Sequence, residues 1–354
     1  MKKRKRNNAN NKTRSISPGR MNEPLVSKDF FSENITVNAN EIFPMVVMAT
    51  MSSGKSTLIN ALLGQQILPS RNEACTAKMY SILDDDQTGK TKIFVTYKNG
   101  ETVVKDEDVT MELEKANNDN DVTDILIRGH VKGVLNTDKA LLIVDTPGPN
   151  NSRDESHRQV MLDVLKKING GLILYVLNAT QFGINDDKYL LNTIKEYIKE
   201  NPKVSILFVI NKVDQLDEEK GESIGQLVML ANEYLQENGI VCPQIIPVSA
   251  LAASLFKKVI NNEELTRSEY RSFCGYFHMY KSRDFNMRSF AITSTFSRQY
   301  ESVEVRGETY RIGDLNKAIE NTGIKLLEEE IQKAQILNGR IIKNKIEITG
   351  GKKQ

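Results

Sequence analysis

The 354-residue sequence predicts an α/β fold with a mainly parallel sheet flanked by helices. Two observations predict it. Short apolar runs such as "FPMVVMAT", "ALLIVD", "GLILYVLNA", "VSILFVI" and "IIPVSA" have the length and β-branched content of buried strands, and amphipathic stretches separate them. Most of these runs also end in a polar motif, which puts the chemistry at the C-terminal ends of parallel strands.

In chain order, residues 1–30 read as a basic, disordered tail, rich in Asn, Lys and Ser with few apolar groups. The core then spans 40–250. "FPMVVMAT" predicts a strand, and "KSTLINALLG" a helix closed by Gly64. "TKIFVTYKNGETVV" predicts a hairpin around Asn99-Gly100, "MELEKANNDNDV" a polar loop, and "DILIRG" leads towards the strand ending at Asp145. Helices are expected at 153–168, 186–200 and 217–238, alternating with strands at 172–178, 204–210 and 244–248. Residues 251–312 read as a helical and hairpin insertion packing a small core of its own. Residues 313–338 hold a closing helix with Ile324, Leu327, Ile331 and Ala334 on one face and Glu328, Glu329 and Glu330 largely on the other. Residues 339–354 read as a tail.

Four motifs carry the chemistry. "MATMSSGKSTLINALLG" matches the phosphate-loop pattern G-x-x-x-x-G-K-[ST], with Ala49 in place of the first glycine. Alanine suffices there if the position needs smallness rather than positive φ. The backbone from Ser53 and Gly54 through Lys55, Ser56 and Thr57 is expected to cradle phosphates at a helix N-terminus, with Lys55 adding a point charge and Ser56 holding Mg²⁺. "VDTPGPN" gives Asp145 and Gly148 the D-x-x-G spacing, in which the carboxylate supports Mg²⁺ through water and the glycine amide senses a γ-phosphate. "NKVD" ends another strand. The carboxylate of Asp214, beside Asn211 and Lys212, suits the two adjacent N–H donors of guanine, a pair that adenine lacks. "VSA" offers Ser249 and Ala250, a backbone N–H there reaching guanine O6. Together the four predict a P-loop GTPase binding GTP/GDP with Mg²⁺.

"SSGKSTLINALLG", "ILPSRNEACTAKMYSI" and "DTPGPN", with "NTGIKLLEEEI" near the C-terminus, resemble the GTPase domain of the dynamin superfamily, specifically its bacterial dynamin-like members. The resemblance covers residues 40–250 and the closing helix. It implies that Thr76 lies in a flexible switch closing over Mg²⁺ and the γ-phosphate, and that catalysis is completed in a nucleotide-dependent homodimer. Met51 stands where eukaryotic dynamins carry a polar residue that organises water and a monovalent cation, so that cation mechanism is not implied here. Pro149 follows Gly148 where Ras-type enzymes carry a water-orienting glutamine. Hydrolysis is therefore expected to use Ser52, Lys55 and Thr76.

The 39% apolar and 27% charged residues are those of an ordinary water-facing chain, and no apolar run reaches membrane-spanning length. The N-terminus lacks the apolar segment of a secretory signal, so a cytoplasmic location, peripheral to a membrane at most, is expected. Of 48 Lys/Arg, eight lie in residues 1–20 without an acid, leaving 40 against 46 acids in the rest. This tail suits nucleic acid or anionic lipid, although a solvated end is the plainer reading. Cys75, Cys242 and Cys274, with His130, His157 and His278, have the spacing of neither a zinc site nor a disulfide framework. The expected function is GTP binding and hydrolysis, with a membrane surface or a larger dynamin-like partner as the target. The alternative is a nucleotide-gated interaction module or a ribosome- or RNA-associated GTPase.

Overall fold

β1 (Ile42–Ala49) shows how the sequence builds the sheet. Its eight residues are buried on both sides: Phe43, Met45, Val47 and Ala49 face one apolar cluster, while Ile42, Val46 and Met48 face another. A strand at a sheet's centre needs no polar face, which is why "IFPMVVMA" shows no alternation. The computed structural model describes residues 24–27, 30–31, 38–49, 52–68, 78–85, 91–105, 109–131, 134, 139–146, 155–181, 185–240, 243–281 and 302–336.

Eight further strands complete this sheet: β2 (Met79–Asp84), β3 (Lys92–Tyr97), β4 (Thr102–Lys105), β5 (Val122–Gly129), β6 (Ala140–Asp145), β7 (Gly171–Asn178), β8 (Val204–Asn211) and β9 (Ile245–Val248). Their order is β4-β3-β5-β2-β6-β1-β7-β8-β9. The half from β6 to β9 is parallel throughout, so Ala49, Asp145, Asn178, Asn211 and Val248 end their strands along one edge. β2 runs antiparallel to β6, and the β3–β4 hairpin joins through β5. The sheet is thus mainly parallel, as expected, with its antiparallel pairings confined to the other half.

Helices cover both faces. α1 (Lys55–Leu63) packs on the face of Val47 and Leu174, beside α2 (Val109–Asn118) at the hairpin end. The opposite face holds α3 (Glu155–Lys166), α4 (Asn185–Glu200) and α5 (Ile224–Glu237). α5 starts later than the predicted 217. Val213–Gln215 and Glu218–Lys220 form 3₁₀ turns, Gly221 takes φ 78°, and Ser223 caps the helix by accepting from Gln226 N at 3.3 Å.

Two expectations fail for identifiable reasons. Val109–Asn118 is a helix rather than a polar loop, because Leu113 and Ala116 reach the core and Lys78 closes its C-terminal end. The Lys78 ammonium donates to the carbonyls of Ala116 (2.7 Å), Asn117 (2.7 Å) and Asp119 (2.5 Å), the arrangement that favours a cation at the negative end of a helix. The tail assigned to 1–30 is also too long: Leu25, Val26 and Phe30 are buried, and Val26 bridges Ile168.

After β9 come α6 (Ala250–Ile260), α7 (Arg267–Lys281), a hairpin of β10 (Ser302–Val305) and β11 (Glu308–Arg311), α8 (Ile312–Asn321) and α9, residues 324–336. These do not pack a separate core. Phe256, Phe273, Tyr280, Leu315, Ile319, Leu327 and Ile331 belong to the same apolar cluster as Leu58 and Leu62 of α1. The apolar stripe of α9 docks as expected, but Glu328 is buried. It pairs with Lys257 at 2.6 Å, and Lys257 also donates to Ala61 O at the C-terminal end of α1. Burial lowers the Lys257 pKa, and the Glu328 charge opposes that fall.

Removing one partner of such a pair leaves an uncompensated buried charge. Glu328→Ala is expected to cost about 3 kcal/mol of stability in urea unfolding, and the double replacement Lys257→Met with Glu328→Leu to recover most of it.

Candidate nucleotide site

The loop between β1 and α1 turns sharply. Ser52 has φ 60°, and Gly54 has φ 80° and ψ 31°, in the left-handed region that favours glycine. A second constraint acts on Gly54: a Cβ there would lie 2.5 Å from Asn211 Nδ2. Ala49 meets no such constraint. It ends β1 in regular register with Val176 and is 2% exposed, so a small side chain in extended backbone fits.

Neighbouring strand ends hold the loop through side chains. Asn211 Nδ2 donates to Ser53 O (2.9 Å), while its Oδ1 accepts from Ala250 N (3.1 Å) at the start of α6. Asn178 Nδ2 reaches Ser52 O at 3.4 Å. Ser53 is 1% exposed, whereas Gly54, Lys55, Ser56 and Thr57 are half-buried at the N-terminus of α1. The Lys55 ammonium contacts the Asp145 carboxylate at the end of β6, which brings the loop lysine and the D-x-x-G aspartate into one cluster. Thr146 continues β6 by donating its hydroxyl to Val47 O at 2.9 Å.

On the other side of Asn211, Lys212 has φ 67° and starts the 3₁₀ turn that carries Asp214. Both oxygens of the Asp214 carboxylate are engaged. Oδ1 accepts from Ser249 Oγ at 2.5 Å, and Oδ2 accepts from Tyr276 Oη at 3.1 Å. Ser249 is fully buried, and its amide donates to Thr322 O at 3.0 Å. Desolvation, reinforced by the Asp214 charge, pushes the Tyr276 phenol above its ordinary pKa, so it is a protonated donor at neutral pH.

The structure therefore gathers Ser52, Ser53, Gly54, Lys55, Ser56, Thr57, Asp145, Asn211, Lys212, Asp214, Ser249 and Ala250 along one edge of the sheet. Thr76, Gly148, Met51 and Pro149 lie outside the described residues. Sequence reasoning missed Asn178 and Tyr276. Asn178 ends a strand in step with Asn211, a signal that was available; Tyr276 lies in an aromatic-rich helix with nothing local to mark it. Among the described residues, no three His, Cys, Asp or Glu side chains cluster as a metal centre, and no helix is long and apolar enough to cross a membrane.

This strand order, with a phosphate-type loop at the first strand and Asn211-Lys212-Val213-Asp214 after β8, is a P-loop GTPase fold. A sequence model of the dynamin family matches residues 45–213, somewhat under half of the chain, and supports a dynamin-superfamily GTPase domain in that segment. A bacterial dynamin-like protein of Nostoc punctiforme is 28% identical over 202 residues, covering 52% of this chain and 27% of that protein. GTPase Era of Borreliella burgdorferi is 30% identical over 148 residues, 41% of this chain and 44% of Era. The chain thus spans less than half the length of either relative. A solved oligomerised bacterial dynamin pair aligns over 87% of this chain and 44% of its own, with 18% identity and a TM-score of 0.45.

Asn211 makes two buried hydrogen bonds to different segments. Asn211→Ala is expected to lose about 2 kcal/mol of stability in the nucleotide-free protein, measured by denaturant unfolding, because Ala250 N–H and Ser53 O are left without their partner.

Proposed function

We propose that this chain binds GTP and hydrolyses it to GDP and phosphate. The observation that carries the reading is the convergence on one sheet edge of a lysine-bearing loop at a helix N-terminus, an aspartate against that lysine, and a second aspartate held by Ser249. In this reading the α1 N-terminus and Lys55 hold the phosphates and Asp214 reads the guanine donors, while the Ala250 amide, expected at guanine O6, donates instead to Asn211 Oδ1.

Mg²⁺ fits the donor set. Ser56 offers a hydroxyl and Asp145 a carboxylate, hard oxygen donors close to the phosphate loop, with Thr76 as the switch ligand that the resemblance implies. The ion would offset the charge of the outer phosphates. Ser56 would hold it directly and Asp145 through water, while Lys55 leaves Asp145 for the phosphates. With Pro149 beside Gly148, water positioning falls to Thr76 and Ser52, and ordered switches require a second copy packed across the nucleotide. A membrane surface or a larger dynamin-like partner remains the proposed target. The match to Era favours a second reading, a GTPase associated with ribosome or RNA.

Asp214→Asn is expected to weaken GTP binding by about 2 to 3 kcal/mol, read by competition with labelled nucleotide. A wild-type protein preferring ATP would overturn the base assignment. Phosphate release per molecule is expected to rise across a hundredfold concentration range and to fall to background in Thr76→Ala, which keeps GTP binding. Release per molecule that is independent of concentration would remove the paired mechanism and leave a monomeric GTPase.

A further inference from the structure

Asp214 is the group on which the proposed base recognition rests, and one of its two hydroxyl partners comes from outside the four motifs. Ser249 belongs to the motif after β9. Tyr276 belongs to α7, whose sequence carries no nucleotide-binding pattern. The Tyr276 ring packs against the apolar cluster shared by α1, α6 and α8, and its hydroxyl alone extends to Asp214 Oδ2. One turn on, Tyr280 is fully buried in the same cluster. α7 thus applies one phenol, that of Tyr276, to the Asp214 carboxylate.

We propose that Tyr276 is a specificity-determining positioning residue for guanine, holding the Asp214 carboxylate in the orientation that accepts both base donors. An ionised carboxylate has about four acceptor sites. The Ser249 and Tyr276 hydroxyls take one on each oxygen, which leaves one on each for the guanine ring N–H and its exocyclic amine. A carboxylate fixed at both oxygens has little rotational freedom left to lose when the base arrives, so its two bonds form at lower entropic cost. A phenylalanine would fill the apolar part of the position equally well, so the hydroxyl carries the role. Base recognition then depends on the seating of α7 against α6 and α8.

The inference rests on the guanine reading above, and the test separates the two. GDP and IDP are titrated against wild type and Tyr276→Phe. The hypoxanthine of IDP lacks the exocyclic amine and offers Asp214 one donor instead of two. Tyr276→Phe is expected to bind GDP roughly tenfold more weakly, the scale of a hydrogen bond to a charged group. The loss for IDP is expected to be smaller, so the GDP-to-IDP preference narrows while the melting temperature stays within a degree or two of wild type. Equal losses for GDP and IDP would make Tyr276 a packing residue and overturn the proposal. Unchanged or tighter GDP binding would also overturn it, the latter showing that the phenol competes with the base. Wild-type protein that fails to bind GDP would remove the guanine reading itself.

Discussion

The side-chain amide of Asn211 is the contact on which the site depends. It is 2% exposed, and its donor and acceptor serve segments 158 and 39 residues away in sequence, Ser53 in the phosphate-type loop and Ala250 at the start of α6. A buried amide that satisfies both ends in this way costs little to bury and is expensive to break. Its position also excludes a side chain at Gly54, whose Cβ would collide with it. The loop's left-handed turn and the strand end that steadies it therefore constrain each other, and the second aspartate follows three residues after Asn211.

Helices beyond the sheet take up the same constraint. α6 begins at the Ala250 amide that Asn211 accepts from, and Lys257, two turns on, donates to the last turn of α1 and to Glu328 of α9. α1 is thus fixed at its N-terminal end through Gly54 and Asn211, and at its C-terminal end through Lys257. Thr322, after α8, holds the Ser249 amide, and α7 supplies Tyr276. The C-terminal helices form part of the wall behind Asp214 and Ser249, sharing a core with the sheet rather than standing apart as an insertion.

The parts legible in the sequence were those whose physics is local. β1, β7 and β8 announced themselves as unbroken apolar runs, the hairpin through Asn99-Gly100, and the loop through Gly54-Lys55-Ser56. The parts that were not legible depend on distant partners. α2 looked like a loop because the lysine that closes its end is Lys78, some forty residues earlier, and Glu328 looked solvent-facing because, besides Lys325 on its own helix, it pairs with the buried Lys257 on another. The reversed direction of β2 was hidden too, since a buried strand reads the same in either direction. Tyr276 was invisible for the same reason as Lys78: its meaning lies in one contact with a residue that the sequence places far away.

Amide hydrogen exchange of the wild-type chain, with and without GDP and Mg²⁺, tests most directly whether the loop, the Asp214–Ser249 pair and the helical wall form one unit. The prediction is added protection at residues 52–57 accompanied by added protection at 249–253 and along 270–281, since these segments are joined through Asn211 and Asp214. Protection confined to the loop and the first turn of α1, with α6 and α7 exchanging as in the nucleotide-free protein, would contradict it.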